Sequence, residues 1–155
     1  MGRMEASVEI KAPPEKVWEM LAFDRLPEWT EGFGESVEYT SEVNTPKDKY
    51  RVGATAQGIP KKPGDNYCRF EITESLENKK IKYRAWEKPK YLGTLSMFRT
   101  YTLEPVGKNT KITCEVESEM PFGIFGKFLE KLYFRRWAEK QMQKELENLK
   151  SILEQ

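Results

Sequence analysis

"TLSMFRTYTLEPVGKNTKITCEVESEM", residues 94–120, reads as two strands joined by a tight turn. In the second strand Ile112, Cys114, Val116, Ser118 and Met120 alternate with Lys111, Thr113, Glu115, Glu117 and Glu119. Successive strand side chains point to opposite faces, so this period of two predicts one buried face and one wet face. In the first strand Leu95, Met97, Arg99, Tyr101 and Leu103 share a face, against Thr94, Ser96, Phe98, Thr100 and Thr102. "VGKN", residues 106–109, is short enough only for a hairpin, so the two strands run antiparallel. The glutamates of the second strand lie on its solvent side and do not read as a metal site.

The same pattern extends upstream. "IKYRAW" (81–86) aligns Ile81, Tyr83 and Ala85, and "YCRFEITESL" (67–76) aligns Cys68, Phe70 and Ile72. "YRVGATAQG" (50–58) is a strand of small residues, and "SVEYTSEV" (36–43) points Val37, Tyr39, Ser41 and Val43 one way. Short Pro, Gly and Asn-rich turns separate them, including "NTPKDK", so these six strands pair as a meander. At the start, "MEASVEIK" (4–11) alternates Met4, Ala6, Val8 and Ile10 with polar residues. "APPEKVWEMLA" then opens a helix on Pro13 and Pro14, where a missing N–H costs nothing. "FDRLPEW" offers Asp24 as N-cap of a second short helix, which Pro27 keeps brief.

A sheet with one apolar face needs a cover. The one long candidate is a C-terminal helix starting after "PFG" (121–123). About thirty residues at ~1.5 Å each would span about 45 Å, enough to cross the sheet. Its stripe runs Phe125, Phe128, Leu132, Met142, Leu146, Leu149, Leu153, with Arg135 and Glu139 in the middle. Two readings fit: the charged pair meets water or a ligand on the inner side, or the helix turns so that both reach solvent. Arg99, on the apolar face of its strand, poses the same choice between the inner side and the sheet edge. Leu129, Tyr133 and Trp137, interleaved with Lys127, Lys131 and Arg136, fit packing against "LPEW" (26–29), an interfacial membrane helix, a portal lid or a dimer contact.

The chain of 155 residues suits one domain, residues 1–155. It carries 26 Lys+Arg against 25 Asp+Glu, a net charge of +1, so the basic excess of a nucleic-acid binder is missing. No run is long and apolar enough for a membrane span, and "MGRMEASVEIK" lacks the apolar segment of a secretion signal, so the expected location is the cytoplasm. Met1–Arg3 reads either as native or as a leftover ahead of Met4. With no histidine, Ser-His-Asp and Cys-His catalysis and most zinc sites are excluded; no metal and no cofactor is expected. Cys68 and Cys114, both in strands, read as buried free thiols. "GFGES" (32–36) has neither a strand before it nor a helix after it, which argues against a phosphate loop.

A strand, then "APPEKVWEMLAFDRLPEW", a meander, "YTLEPVGKNTKITCEV", "PFGIFGKFLE" and a long helix ending "LENLKSILE" together resemble the START-like (SRPBCC) superfamily. The resemblance is strongest to its polyketide cyclase/dehydrase and lipid-transport branch, related to plant pollen allergens. It implies an α+β helix-grip fold: a curved seven-stranded antiparallel sheet around a long C-terminal helix, with two short helices after strand 1. It also implies an apolar cavity for a lipid, sterol, polyketide or hormone.

On this basis the expected ligand contacts are Trp29, Tyr39, Phe70, Tyr83, Met97, Arg99, Tyr101, Met120, Phe125, Phe128, Leu132, Arg135 and Glu139. Trp29 reads equally as a cap on the cavity mouth or as core filler. The leading expectation is a binding or carrier protein for a small hydrophobic or amphipathic molecule, able to touch a membrane surface transiently. The first alternative is a metal-free cyclase or dehydratase, with Glu139 as a base raised in pKa by burial and Arg99 or Tyr101 steadying an enolate. The second is an interaction module that docks through the C-terminal helix. Oligomeric state is left open.

Overall fold

The structure is a computed structural model that describes residues 2–30, 36–59, 68–87, 95–119 and 135–155. Seven strands, β1 (Gly2–Ile10), β2 (Ser36–Tyr39), β3 (Thr55–Ile59), β4 (Cys68–Leu76), β5 (Lys80–Glu87), β6 (Leu95–Val106) and β7 (Asn109–Glu119), form one antiparallel sheet. Their order is β1-β7-β6-β5-β4-β3-β2, the expected meander with the first strand added beside the last. Helix α1 (Pro14–Glu19) and a 3₁₀ turn (Phe23–Glu28) follow β1. Helix α2 (Arg135–Leu153) ends the fold. This is the helix-grip arrangement.

The register carries the predicted faces across the sheet. One row runs Met4, Val116, Arg99, Tyr83, Ile72, and the next runs Ala6, Cys114, Tyr101, Ile81. All nine side chains are buried. Lys111 is exposed, and Thr113, Glu115 and Glu117 are partly so. A bulge at Thr73 shifts the register, so that Ser75 rather than Glu74 lies opposite the inward Ile81.

Helix α2 buries Met142, Glu145, Leu146 and Leu149 on one side, the 3-4 spacing of an amphipathic helix. It lies along β1, an edge strand whose outer backbone groups have no ladder partner. Two polar side chains of the helix supply partners: Gln143 Nε2 donates to the Ser7 carbonyl (3.3 Å) and Lys150 Nζ to that of Glu9 (2.8 Å). Covering an edge this way blocks pairing with another chain. Asn148 Nδ2 reaches the Trp29 carbonyl (3.5 Å) and ties the helix to the 3₁₀ turn.

Three local readings need correction. The second strand stops at Tyr39 rather than Val43, because the Ser41 hydroxyl, not its backbone, takes the Thr55 N–H (2.9 Å). The third begins at Thr55 rather than Tyr50, since Gly53 turns the chain at φ +92°. "NTPKDK" turns as expected, as a 3₁₀ turn (Pro46–Lys49) closed by a Thr45/Asp48 capping box. The N-cap after α1 is Ala22, not Asp24, whose carboxylate instead meets Lys49 (2.7 Å). The helix start after "PFG", the "GFG" segment and the turns at 60–67 and 88–94 lie outside the described residues.

Candidate functional site

Arg99 sits mid-sheet on β6 and is buried, with 8% of its surface exposed. The alternative in which it escapes over the sheet edge therefore fails. Its Nη1 donates to the Tyr101 hydroxyl (3.2 Å) and to Glu145 Oε2 (3.4 Å). Glu145, 4% exposed, comes from α2, so this pair bridges helix and sheet. Among the described residues Arg99 and Glu145 are the buried charged side chains. A buried charge is tolerable only when paired and hydrogen-bonded, and each supplies that for the other.

Tyr83, the cross-strand neighbour of Arg99, adds a second phenol. Its hydroxyl is fully buried; it leans toward Tyr101 but meets no partner at hydrogen-bond geometry. Burial pushes the pKa of both phenols well up, and the Arg99 charge only partly opposes this, so both stay protonated donors. Burial alone would weaken the guanidinium's hold on its proton. The Tyr101 hydroxyl and the Glu145 carboxylate, both bonded to Nη1, outweigh this, and Arg99 stays charged. Burial lifts the Cys114 thiol to about 11, which leaves it unreactive.

Aromatic rings extend the site from this polar end. Trp29 meets Tyr101 edge-on (5.6 Å between centroids), and Tyr101 adjoins Tyr83 (6.2 Å). Phe23 packs against Tyr83 and Phe70 (5.2 Å each) and Tyr39 (5.8 Å). Of the expected contacts, Trp29, Tyr39, Phe70, Tyr83, Arg99 and Tyr101 thus belong to one connected cluster, and Met97 packs half-buried against the core. Two polar atoms are already engaged: Trp29 Nε1 donates to the Met20 carbonyl (2.9 Å), and the Tyr39 hydroxyl bridges Phe23 N–H (3.0 Å) and the Lys49 carbonyl (3.3 Å). Glu139 is half-buried on α2. Met120, Phe125, Phe128, Leu132 and the Arg135 side chain, which would complete the cavity, lie outside the described residues.

Two members of the cluster are not among the expected contacts. Glu145 lies three residues after Met142 and four before Leu149, so the spacing that marks the stripe could have marked it too. Phe23 lies in a 3₁₀ turn, where no helical stripe points to it. A separate surface cleft of about 240 Å³, lined by Trp18, Lys47, Tyr50, Arg51, Val52, Ser75 and Glu77, touches none of the expected contacts.

Known structures share this architecture end to end. Protein MLL2253 from Mesorhizobium loti superposes with a TM-score of 0.73 at 19% identity, over 99% of this chain and 97% of that one. The Aha1 dimer protein from Colwellia psychrerythraea gives 0.62 at 18%, over 99% and 96%. DynU16, a protein of the dynemicin biosynthetic locus, gives 0.64 at 16%, over 98% of this chain and 47% of that longer one. These identities are low enough that the likeness is one of fold. No curated protein matches the sequence. Sequence kinship comes instead from a family model that runs through strand, turn, meander and helix alike, over residues 1–154: the chain belongs to the polyketide cyclase / dehydrase and lipid transport family.

Proposed function

We propose that this chain binds a small hydrophobic or amphipathic molecule, a lipid, polyketide or similar, between the sheet and the C-terminal helix, with its polar end at Arg99, Tyr101 and Glu145. The observation that carries this reading is the Arg99–Glu145 bridge at one end of an aromatic interior. Ligand pockets are typically apolar with a few convergent polar groups, and this interior has that composition. Family membership points the same way. Native mass spectrometry on freshly purified protein tests it. A co-purifying small molecule is expected, or uptake of one from a lipid extract. A bare chain under both conditions would overturn the proposal.

The same cluster favours one second reading, acid–base chemistry on a carbonyl substrate. There Arg99 or Tyr101 would hold the carbonyl oxygen while a carboxylate removed a proton from the adjacent carbon. Glu145 is better placed for this than Glu139, since it reaches Arg99 (3.4 Å). Loss of turnover in Glu145→Gln, with binding retained, is the result that would favour it.

A further inference from the structure

On the outer face of the sheet the register sets unlike charges on the two sides of β6. One row runs Arg84, Phe98, Glu117 and the next runs Lys82, Thr100, Glu115, across β5, β6 and β7. Arg84 is exposed and the other five are half-buried, so this face meets solvent. Two aromatic rings lie among the charges. Lys82 Nζ sits 5.1 Å from the centre of the Phe98 ring, and the Arg84 guanidinium 5.5 Å from that of Trp86. A surface whose charge reverses across its central strand is complementary to itself.

We infer that this outer face pairs with the same face of a second copy of the chain. A twofold axis along β6, midway between two stacked sheets, turns one copy over so that its β5 lies above β7 of the other. Height along the strands is unchanged. Arg84 therefore meets Glu117 of the second copy, Lys82 meets its Glu115, and the two Phe98 rings meet on the axis. Face-to-face sheets stack about 10 Å apart with their strands within about 30°, a gap that such side chains fill. The pattern breaks at the rim, where Glu74 of β4 comes over Glu5 of β1; Lys80 already holds Glu74 (3.2 Å), which eases that contact. Five strands ~4.8 Å apart and about seven residues of ~3.3 Å give a face of roughly 550 Å² per copy, below the ~800 Å² per partner of standard complexes. The dimer is therefore weak and exchanges with monomer. It leaves the interior untouched and does not depend on the binding reading.

Sedimentation equilibrium of the full chain at low salt, from about 10 µM to about 1 mM, tests it. Monomer is expected at the low end, with a dimer fraction that grows with concentration and falls as salt screens the pairs. Arg84→Glu and Glu117→Arg, each alone, set like charges together at both symmetric contacts and should weaken association about tenfold or more. An equimolar mixture of the two variants should recover it, because the charges match again across the axis. Thermal melts establish that both variants fold. Amide nuclear magnetic resonance spectra of the wild type on dilution need no variant; they should shift around Phe98 and Thr100 and not along α2. Monomer throughout the range, a dimer indifferent to both swaps, no recovery in the mixture, or shifts centred on α2 would each overturn the proposal.

Discussion

Arg99 is the residue on which the interior turns. Removing it takes the guanidinium at 3.4 Å away from the Glu145 carboxylate, which stays buried on α2. Arg99→Met should therefore cost about 3–5 kcal/mol in urea denaturation, whereas Arg99→Met combined with Glu145→Leu should come close to neutral. If the single change costs under about 1 kcal/mol, the pair does not balance charge as described. A second residue-scale effect concerns alkaline pH. The Cys114 thiol rises from 9.0 to about 11 on folding and the Tyr50 phenol from 10.0 to about 12, burial being the main cause of each. Above pH 9 the unfolded chain releases the thiol proton while the folded chain keeps it, so stability falls as pH rises from there toward 11. The melting midpoint should decline from about pH 9 upward, and Cys114→Ala should flatten the first part of that decline. Arg99 is legible in the sequence because a charge at an inward position breaks a period-two pattern visibly. Its partner is harder to read: a stripe drawn through Met142, Leu146, Leu149 and Leu153 is narrower than the face a helix buries, and Glu145 lies within the wider face.

At the scale of elements, α2 both fills the core and shields β1. Leu146 and Leu149 are completely enclosed. Leu146→Ala should cost about 2–5 kcal/mol by urea denaturation, the usual range for truncating such a side chain. Shortening the chain before Met142 should have a different consequence. It uncovers the Ser7 and Glu9 carbonyls and the apolar face together, so size-exclusion chromatography should show dimers or larger species. A truncated chain that stays monomeric would argue that the helix does not guard this edge. The strands are readable because each alternates and is bounded by turn residues. Their ends are not, because Ser41 and Asp48 close turns with side-chain hydrogen bonds that leave no trace in a hydrophobic pattern.

For the whole molecule, one core joins all seven strands to α1, the 3₁₀ turn and α2. Neither Cys68 nor Cys114 forms a disulfide, and both are buried within it. A thiol reagent should thus react only as fast as the protein unfolds globally, and reductant should leave the melting temperature unchanged. Rapid labelling of either thiol in native buffer would show a local opening instead. The pairing of the first strand with the last, Gly2 opposite Ser118 and Ile10 opposite Thr110, has a further consequence during synthesis. β1 is made about a hundred residues ahead of its neighbour, a wait of roughly 5–20 s at ordinary rates of translation. Through that interval a strand with apolar Met4, Ala6, Val8 and Ile10 has neither its ladder nor its covering helix. The nascent chain must therefore be shielded by other means until β7 and α2 have been made.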